Sequence, residues 1–145
     1  MTRYFDTSAL AKVHLSEEGT GEVRELLRTA RGALTSIITL PELTSALHRA
    51  VNRGRVRQDS SEQVRGNMAT LWRSLVRVPI DPRLIHAAEE LVWRYRLRGF
   101  DGVHLASALS MQTQLRESVE FVSFDGALRS AALGEGLAVS PVVAR

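Results

Sequence analysis

The sequence is poor in several residue types, and each shortage excludes a class of protein. None of the 145 residues is cysteine, so disulfide bonds and thiolate metal sites are excluded. No apolar run approaches the ~20 residues that a membrane-spanning helix needs, and Asp6 interrupts the region where a signal peptide would be apolar. We therefore expect one domain over residues 1–145, in the cytoplasm and without membrane contact.

Lysine is also scarce, because Lys12 is the only lysine among 19 basic residues. With 16 acidic residues the formal net charge is +3, which is a weak indication of nucleic-acid binding. The base composition of the genome is the simpler explanation of the arginine content, although arginine also binds phosphate bidentately. One short basic run contains no acid, and its arginines are Arg49, Arg53, Arg55 and Arg57.

Short apolar segments alternate with helical patterns along the chain. The strand candidates are residues 4–5, 33–38, 76–80, 119–124 and 137–139. Helix starts are predicted at Asp6, Thr39, Asp59, Asp81, Asp101 and Asp125, with capping boxes at residues 39–42 and 59–62 and stops at Gly32 and Gly54. This alternation predicts an α/β fold in which helices flank both faces of a twisted, mostly parallel sheet.

Four acidic residues stand where an apolar segment gives way to a helical pattern: Asp6, Glu42, Asp101 and Asp125. Each has a simple structural explanation, since Asp is a preferred N-cap and Glu42 has the reciprocal position of a capping box. Three of them follow a phenylalanine, and an apolar neighbour disfavours ionisation unless a cation compensates. Three also follow strand candidates, where α/β folds build their sites. Together the four predict a divalent-metal site with hard oxygen ligands, suited to chemistry on phosphate.

Four motifs carry a family resemblance, namely YFDTSAL at residues 4–10, PE at 41–42, RGFDGVHLA at 98–106 and FVSFD at 121–125. In order, spacing and length the chain resembles the PIN domain, and within it the VapC-type toxins of bacterial toxin–antitoxin pairs. The resemblance implies a PIN-like fold and an endoribonuclease that needs Mg²⁺ or Mn²⁺. It also implies an RNA substrate, a homodimer and a protein antitoxin that holds the enzyme inactive.

The family's acidic quartet falls on Asp6, Glu42, Asp101 and Asp125, which are the same four residues. We expect them to bind one or two ions, with Glu42 acting directly or through water, so that a metal-activated water cleaves the RNA phosphodiester. Ser8 is expected to support a ligand carboxylate or water by a hydrogen bond. Gly102 departs from the family's usual alanine, and glycine is expected to loosen the helix start there.

Other residues favour structural explanations. His104 lies three residues after Asp101, and packing with hydrogen bonding is its favoured role. Trp72 and Tyr95 fall on apolar helix faces and are expected in the core, whereas Trp93 falls off that face.

Two alternative functions follow from the same residues. A haloacid-dehalogenase-like site would carry a second Asp two residues after the first, and Ser8 stands there instead. A PIN-like scaffold that binds RNA or protein without cleaving it remains the alternative function. The sequence leaves open the RNA target, the cleavage site, the antitoxin, the number of metal ions and whether the basic run contacts RNA, antitoxin or solvent.

Overall fold

A five-stranded parallel sheet forms the centre of the protein in a computed structural model that describes residues 1–142. The strands are β1 (Thr2–Phe5), β2 (Gly32–Ser36), β3 (Val76–Val78), β4 (Val119–Val122) and β5 (Ala138–Ser140). Their order is β3-β2-β1-β4-β5, and every neighbouring pair is parallel. The order reverses beside the central strand β1, and α/β folds place their sites at such a reversal.

Helices cover both faces of this sheet, as predicted. Across residues 1–142 they are α1 (Thr7–Leu15), α2 (Thr20–Thr29), α3 (Thr39–Asn52), α4 (Ser61–Ser74), α5 (Pro82–Tyr95), α6 (Gly99–Leu115) and α7 (Gly126–Gly134), with a 3₁₀ turn at Gln58–Ser60. Successive strand residues point to opposite faces. The fully buried Tyr4 therefore packs against residues of α5, α6 and α7, and the fully buried Phe5 packs against α1 to α4. None of the helices in the described residues is long and apolar enough to cross a membrane.

Several predicted element ends are wrong by a few residues. Helix α2 ends at Thr29, and Gly32 begins strand β2 instead of stopping a helix. Strand β4 ends at Val122, so Phe124 belongs to the loop that follows. Helix α6 begins at Gly99, two residues before its predicted start, so Asp101 lies inside the first turn and is not its N-cap.

Both predicted capping boxes are also wrong. Asp59, the predicted cap of the second box, lies inside the 3₁₀ turn, and its carboxylate accepts hydrogen bonds from Arg57. Ser60 directly precedes α4 but makes no side-chain cap, since its φ and ψ are helical where a capping residue is extended. Thr39 is already inside α3, and its hydroxyl lies 2.7 Å from the Thr35 hydroxyl. Glu42 therefore does not take part in a capping box, and its carboxylate instead accepts hydrogen bonds from Thr7 and His104.

Glycine at position 102 permits a close approach between α5 and α6. A Cβ atom there would lie 2.4 Å from Val92 Cγ2 and 2.9 Å from the Ala88 carbonyl oxygen, which is closer than real contacts allow. Alanine would force the two helices apart. The expected loosening of the helix start is thus outweighed by a packing requirement that only glycine meets.

Candidate active site

All four predicted acidic residues line one cavity at the carboxyl edge of the sheet, with a volume of about 790 Å³. Asp6 follows β1, Asp125 follows the loop after β4, and Glu42 and Asp101 lie in the first turns of α3 and α6. Ser8 lines the same cavity. The structure therefore brings together every residue that the sequence assigned to the site.

Asp6 is fixed by neutral donors and is only 2% exposed. Its Oδ1 accepts hydrogen bonds from the Ser8 hydroxyl at 2.7 Å and the Ala9 amide at 2.9 Å, so it caps α1 as predicted. Its Oδ2 accepts from the Ser123 hydroxyl at 2.5 Å. Burial raises the pKa of Asp6 above its ordinary value, although these donors act in the opposite direction.

Glu42 is held by a second set of donors. Its Oε1 accepts from the Thr7 hydroxyl at 2.6 Å and from His104 Nε2 at 2.7 Å. The other ring nitrogen of His104 lies 2.8 Å from the Tyr4 hydroxyl, whose pKa burial raises, so that the hydroxyl stays protonated and donates. Burial acts to raise the pKa of Glu42, but its hydrogen bonds with His104 and Thr7 and the charge of Arg98 outweigh it and lower the pKa. We call Asp6 and Glu42 the inner pair.

Asp101 and Asp125 share one arginine. Arg98 Nε lies 3.1 Å from Asp101 Oδ2, and its NH2 lies 3.1 Å from Asp125 Oδ2. Asp125 Oδ1 also caps α7 by accepting from the Leu128 amide at 2.9 Å. Burial raises the pKa of Asp101, with the charge of Asp125 adding to the effect and Arg98 opposing it. We call these two acids the Arg98-bridged pair.

Comparison with known proteins places this site in a family, because the PIN domain model matches residues 3–133. The chain belongs to the PIN-domain family. It shares 31% identity with ribonuclease VapC46 of Mycobacterium tuberculosis, over 94% of each chain. It shares 30% identity with ribonuclease VapC49 of the same species, over 74% of this chain and 75% of that protein. These matches show a VapC-type PIN domain.

Solved structures show the same fold at lower identity. The crystal structure of VapC20 from Mycobacterium tuberculosis, described as a toxin that cleaves the sarcin–ricin loop, has a TM-score of 0.67 and 19% identity, with 90% of this chain and 95% of that chain covered. A Pyrobaculum aerophilum protein, PAE2754, has a TM-score of 0.61 and 16% identity, covering 95% of this chain and 89% of its own. At these identities the likeness shows the PIN fold alone.

The side chains of this PIN domain suit a hard divalent cation. Four carboxylates supply oxygen donors, which Mg²⁺ and Mn²⁺ prefer. In the described residues no three acids or histidines are yet close enough to enclose an ion. However, a positive group already joins two of the carboxylates, because the Arg98 guanidinium contacts both Asp101 and Asp125. The oxygen donors of the site thus fit a divalent cation. The Arg98 guanidinium supplies part of the positive charge that two of the four carboxylates need.

Three supporting residues were not predicted from the sequence, namely Thr7, Ser123 and Arg98. Thr7 and Ser123 are hydroxyl residues that stand within two positions of a quartet acid, a spacing that would have indicated them. Arg98 lies three residues before Asp101 and meets Asp125 across 27 positions, and its one local signal is that arginines also stand at positions 94 and 96. His104 is 2% exposed and hydrogen-bonded, as its favoured role required.

The other candidate residues lie mostly away from the cavity. Arg49 lines it, but Arg55 pairs with Glu17 and Arg57 with Asp59 on the surface. Trp72 and Tyr95 are half-buried, so both are less enclosed than predicted. Trp93 is 84% exposed and lies off the apolar helix face, as expected.

Proposed function

We propose that this protein is a divalent-metal-dependent endoribonuclease and the toxin of a toxin–antitoxin pair, formed by one domain over residues 1–145. The convergence of the acidic quartet in one cavity carries the proposal. The relatives named as ribonucleases support it, since they match the chain over 74% or more of its length. The sarcin–ricin loop is the target of VapC20, and the RNA target of this chain is a separate question.

Asp6, Asp101 and Asp125 would hold one or two Mg²⁺ or Mn²⁺ ions, with Glu42 binding directly or through water. A bound ion supplies positive charge to the phosphate and lowers the pKa of a coordinated water. The protein contributes orientation. Ser8 and Ser123 fix both oxygens of Asp6.

Glu42 is suited to orienting the attacking water. Thr7 and His104 both donate to Oε1 and keep the carboxylate ionised at neutral pH, as its lowered pKa indicates. In the described residues no hydrogen bond ends on Oε2 of Glu42. This oxygen is therefore available to accept a hydrogen bond from a water beside the phosphate and to orient it.

The partners belong to the same proposal. An RNA strand would enter the cavity beside Arg49 and Arg98, which lie in its wall. A protein antitoxin would inhibit the enzyme, and a homodimer is the expected assembly in the cytoplasm.

The test is cleavage of total cellular RNA by the purified protein in Mn²⁺, Mg²⁺ or EDTA, with mapping of the new ends. We expect cleavage with either ion and none in EDTA. Asp6→Asn and Asp125→Asn should each lower the rate by about 100-fold or more, the scale of losing a group that stabilises transition-state charge. Asn still caps a helix, so both variants should remain folded.

Asp81→Asn is the matched control, because Asp81 caps α5 in the same way and does not line the cavity. It should cleave RNA at the wild-type rate. Cleavage that persists in EDTA, or full activity of Asp6→Asn, would contradict a metal mechanism at this site. A folded protein that binds RNA and never cuts it would support the non-catalytic scaffold instead.

A further inference from the structure

Arg98 joins two acids of the quartet, Asp101 and Asp125, although it is itself a surface residue. Its side chain is 80% exposed, whereas the side chains of Asp101 and Asp125 are 20% and 28% exposed. As the N-cap residue of α6 it has an extended backbone and makes no side-chain cap. Its ion pairs with Asp101 and Asp125 join residues that line the cavity, and its side chain does not cap the beginning of the helix.

The inner pair is held differently, since its carboxylates accept from serine, threonine, histidine and backbone donors. In the described residues, Arg98 is the only arginine that contacts the quartet. Its two ion pairs lie at the mouth of the cavity, where solvent weakens such pairs. The ion pairs of Arg98 with Asp101 and Asp125 can therefore be replaced by stronger interactions of the same carboxylates.

We propose that Arg98 is a tethered counter-ion that exchanges partners. Arg98 bridges Asp101 and Asp125; when these carboxylates hold a divalent cation, Arg98 would release them and bind a phosphate of the incoming RNA with its guanidinium. The proposal rests on the proposed metal-dependent function. Its physical basis is that a divalent ion carries twice the charge of a guanidinium, and that arginine recognises phosphate bidentately once it is free.

The first test measures metal affinity and does not depend on cleavage. Mn²⁺ is titrated calorimetrically into wild type, Arg98→Gln and Arg49→Gln. Removing the competitor should tighten Mn²⁺ binding by about three- to tenfold, the range expected when one or two exposed ion pairs no longer compete. Arg49 lines the same cavity without contacting a carboxylate of the quartet, so Arg49→Gln should change the affinity less than about twofold if competition is direct.

The outcomes separate this proposal from the proposed function. If wild type binds Mn²⁺ and Arg98→Gln binds it equally or more weakly, the proposed partner exchange of Arg98 is contradicted, whereas the proposed metal site is supported. If Arg98→Gln binds Mn²⁺ and wild type does not, the exchange is supported in its strongest form. If no variant binds Mn²⁺, both proposals fail.

The second test measures phosphate binding with a 20-nucleotide oligo(dT), recovered on a gel to verify that it is intact. In Mn²⁺, Arg98→Gln should bind the strand about three- to tenfold more weakly than wild type, on the scale of one or two charge-assisted contacts. In EDTA the two should bind alike, because the wild-type guanidinium is then held by the carboxylates. Arg49→Gln should lose the same affinity in both conditions. An equal loss for Arg98→Gln in both conditions would show an ordinary surface charge and overturn the exchange.

Discussion

The inner pair and the Arg98-bridged pair share one cavity but are held by opposite kinds of contact. Asp6 and Glu42 accept hydrogen bonds from side chains that are buried or half-buried, so their positions are set by the folded core. Asp101 and Asp125 are joined through a guanidinium that is 80% exposed. The first arrangement is preorganised by the fold, and the second depends on a side chain that solvent can compete for.

This difference shows which carboxylates the fold preorganises and which it leaves to an exchangeable counter-ion. A buried carboxylate with fixed donors loses little orientation freedom when a ligand arrives, which is the advantage of a supported site. The guanidinium between the bridged carboxylates offsets part of their mutual repulsion, because Arg98 lowers the pKa of Asp101 while the charge of Asp125 raises it. Replacing that cation requires no change in the core, so the two pairs divide the site into a fixed half and an exchangeable half.

Among the residues that support the inner pair, His104 should give the largest effect, and the substitution that tests it is His104→Gln. His104 donates to Glu42 and contacts the Tyr4 hydroxyl, so the variant should lose the support of Glu42 and lower RNA cleavage by about 10- to 100-fold. As a positioning effect, the loss should fall mainly on kcat and leave KM nearly unchanged. Single-turnover and steady-state kinetics on a mapped RNA substrate measure both.

His86→Gln is the control for this substitution, since His86 is exposed on α5 and does not line the cavity. It should behave as wild type. Circular dichroism should verify that His104→Gln is folded, because the residue is buried. A folded variant with normal kcat would show that Glu42 needs no histidine and that the inner pair is less preorganised than its contacts indicate.

Local chemistry made part of this site predictable from the sequence. Asp6, Asp81 and Asp125 each accept from the backbone amide three residues on, and such caps depend only on neighbouring residues. The positions of the acids at the ends of apolar segments indicated the quartet, and the family resemblance fell on the same four residues. The same pattern misplaced Asp101, because α6 begins at Gly99 and its first turn includes the acid.

Contacts between distant elements were not predictable. The role of Arg98 depends on Asp125, which is 27 positions away and reaches the site only through the sheet topology. The need for Gly102 depends on the distance between α5 and α6, which no local pattern records. Sequence reasoning therefore located the acids, and only the fold showed what holds each of them.

Gly102→Ala should disturb the exchangeable half through the backbone. The added methyl would meet Val92 and the Ala88 carbonyl, and overpacking of this kind costs about 1–3 kcal/mol of unfolding free energy. The melting temperature should fall by several degrees. Because Asp101 is the preceding residue, the Mn²⁺-induced rise in melting temperature should shrink as well.

Gly66→Ala is the matched control, since Gly66 is an exposed glycine inside α4 with open space around it. Alanine there should stabilise the protein by about 0.5–1 kcal/mol through helix propensity. Thermal melts of both variants in EDTA and in Mn²⁺ give the comparison. Equal stabilisation by the two substitutions would mean that α5 and α6 separate without cost.

The smallest expected effects are pH dependences of opposite sign within the inner pair, measured in EDTA. The pKa of Asp6 is raised by burial, so its carboxyl contributes stability below the unfolded pKa of ~3.9 and loses it as pH rises through the folded pKa. The pKa of Glu42 is lowered, so its carboxylate contributes stability above the unfolded pKa of ~4.3 and loses it as pH falls through the folded pKa.

Neutral amides therefore have opposite consequences at the two positions. At pH 7, Asp6→Asn should unfold at the same or a higher urea concentration than wild type, because it removes a charge that burial disfavours. Glu42→Gln should unfold earlier, by on the order of 1 kcal/mol, the scale of one hydrogen bond in a protein. The difference for Asp6→Asn should shrink as the pH falls through the raised folded pKa of Asp6, and the difference for Glu42→Gln should shrink as the pH falls below ~4.3 towards the lowered folded pKa of Glu42. Urea midpoints across this range decide the matter, and a shift of the same sign for both variants would show that the two acids share one environment after all.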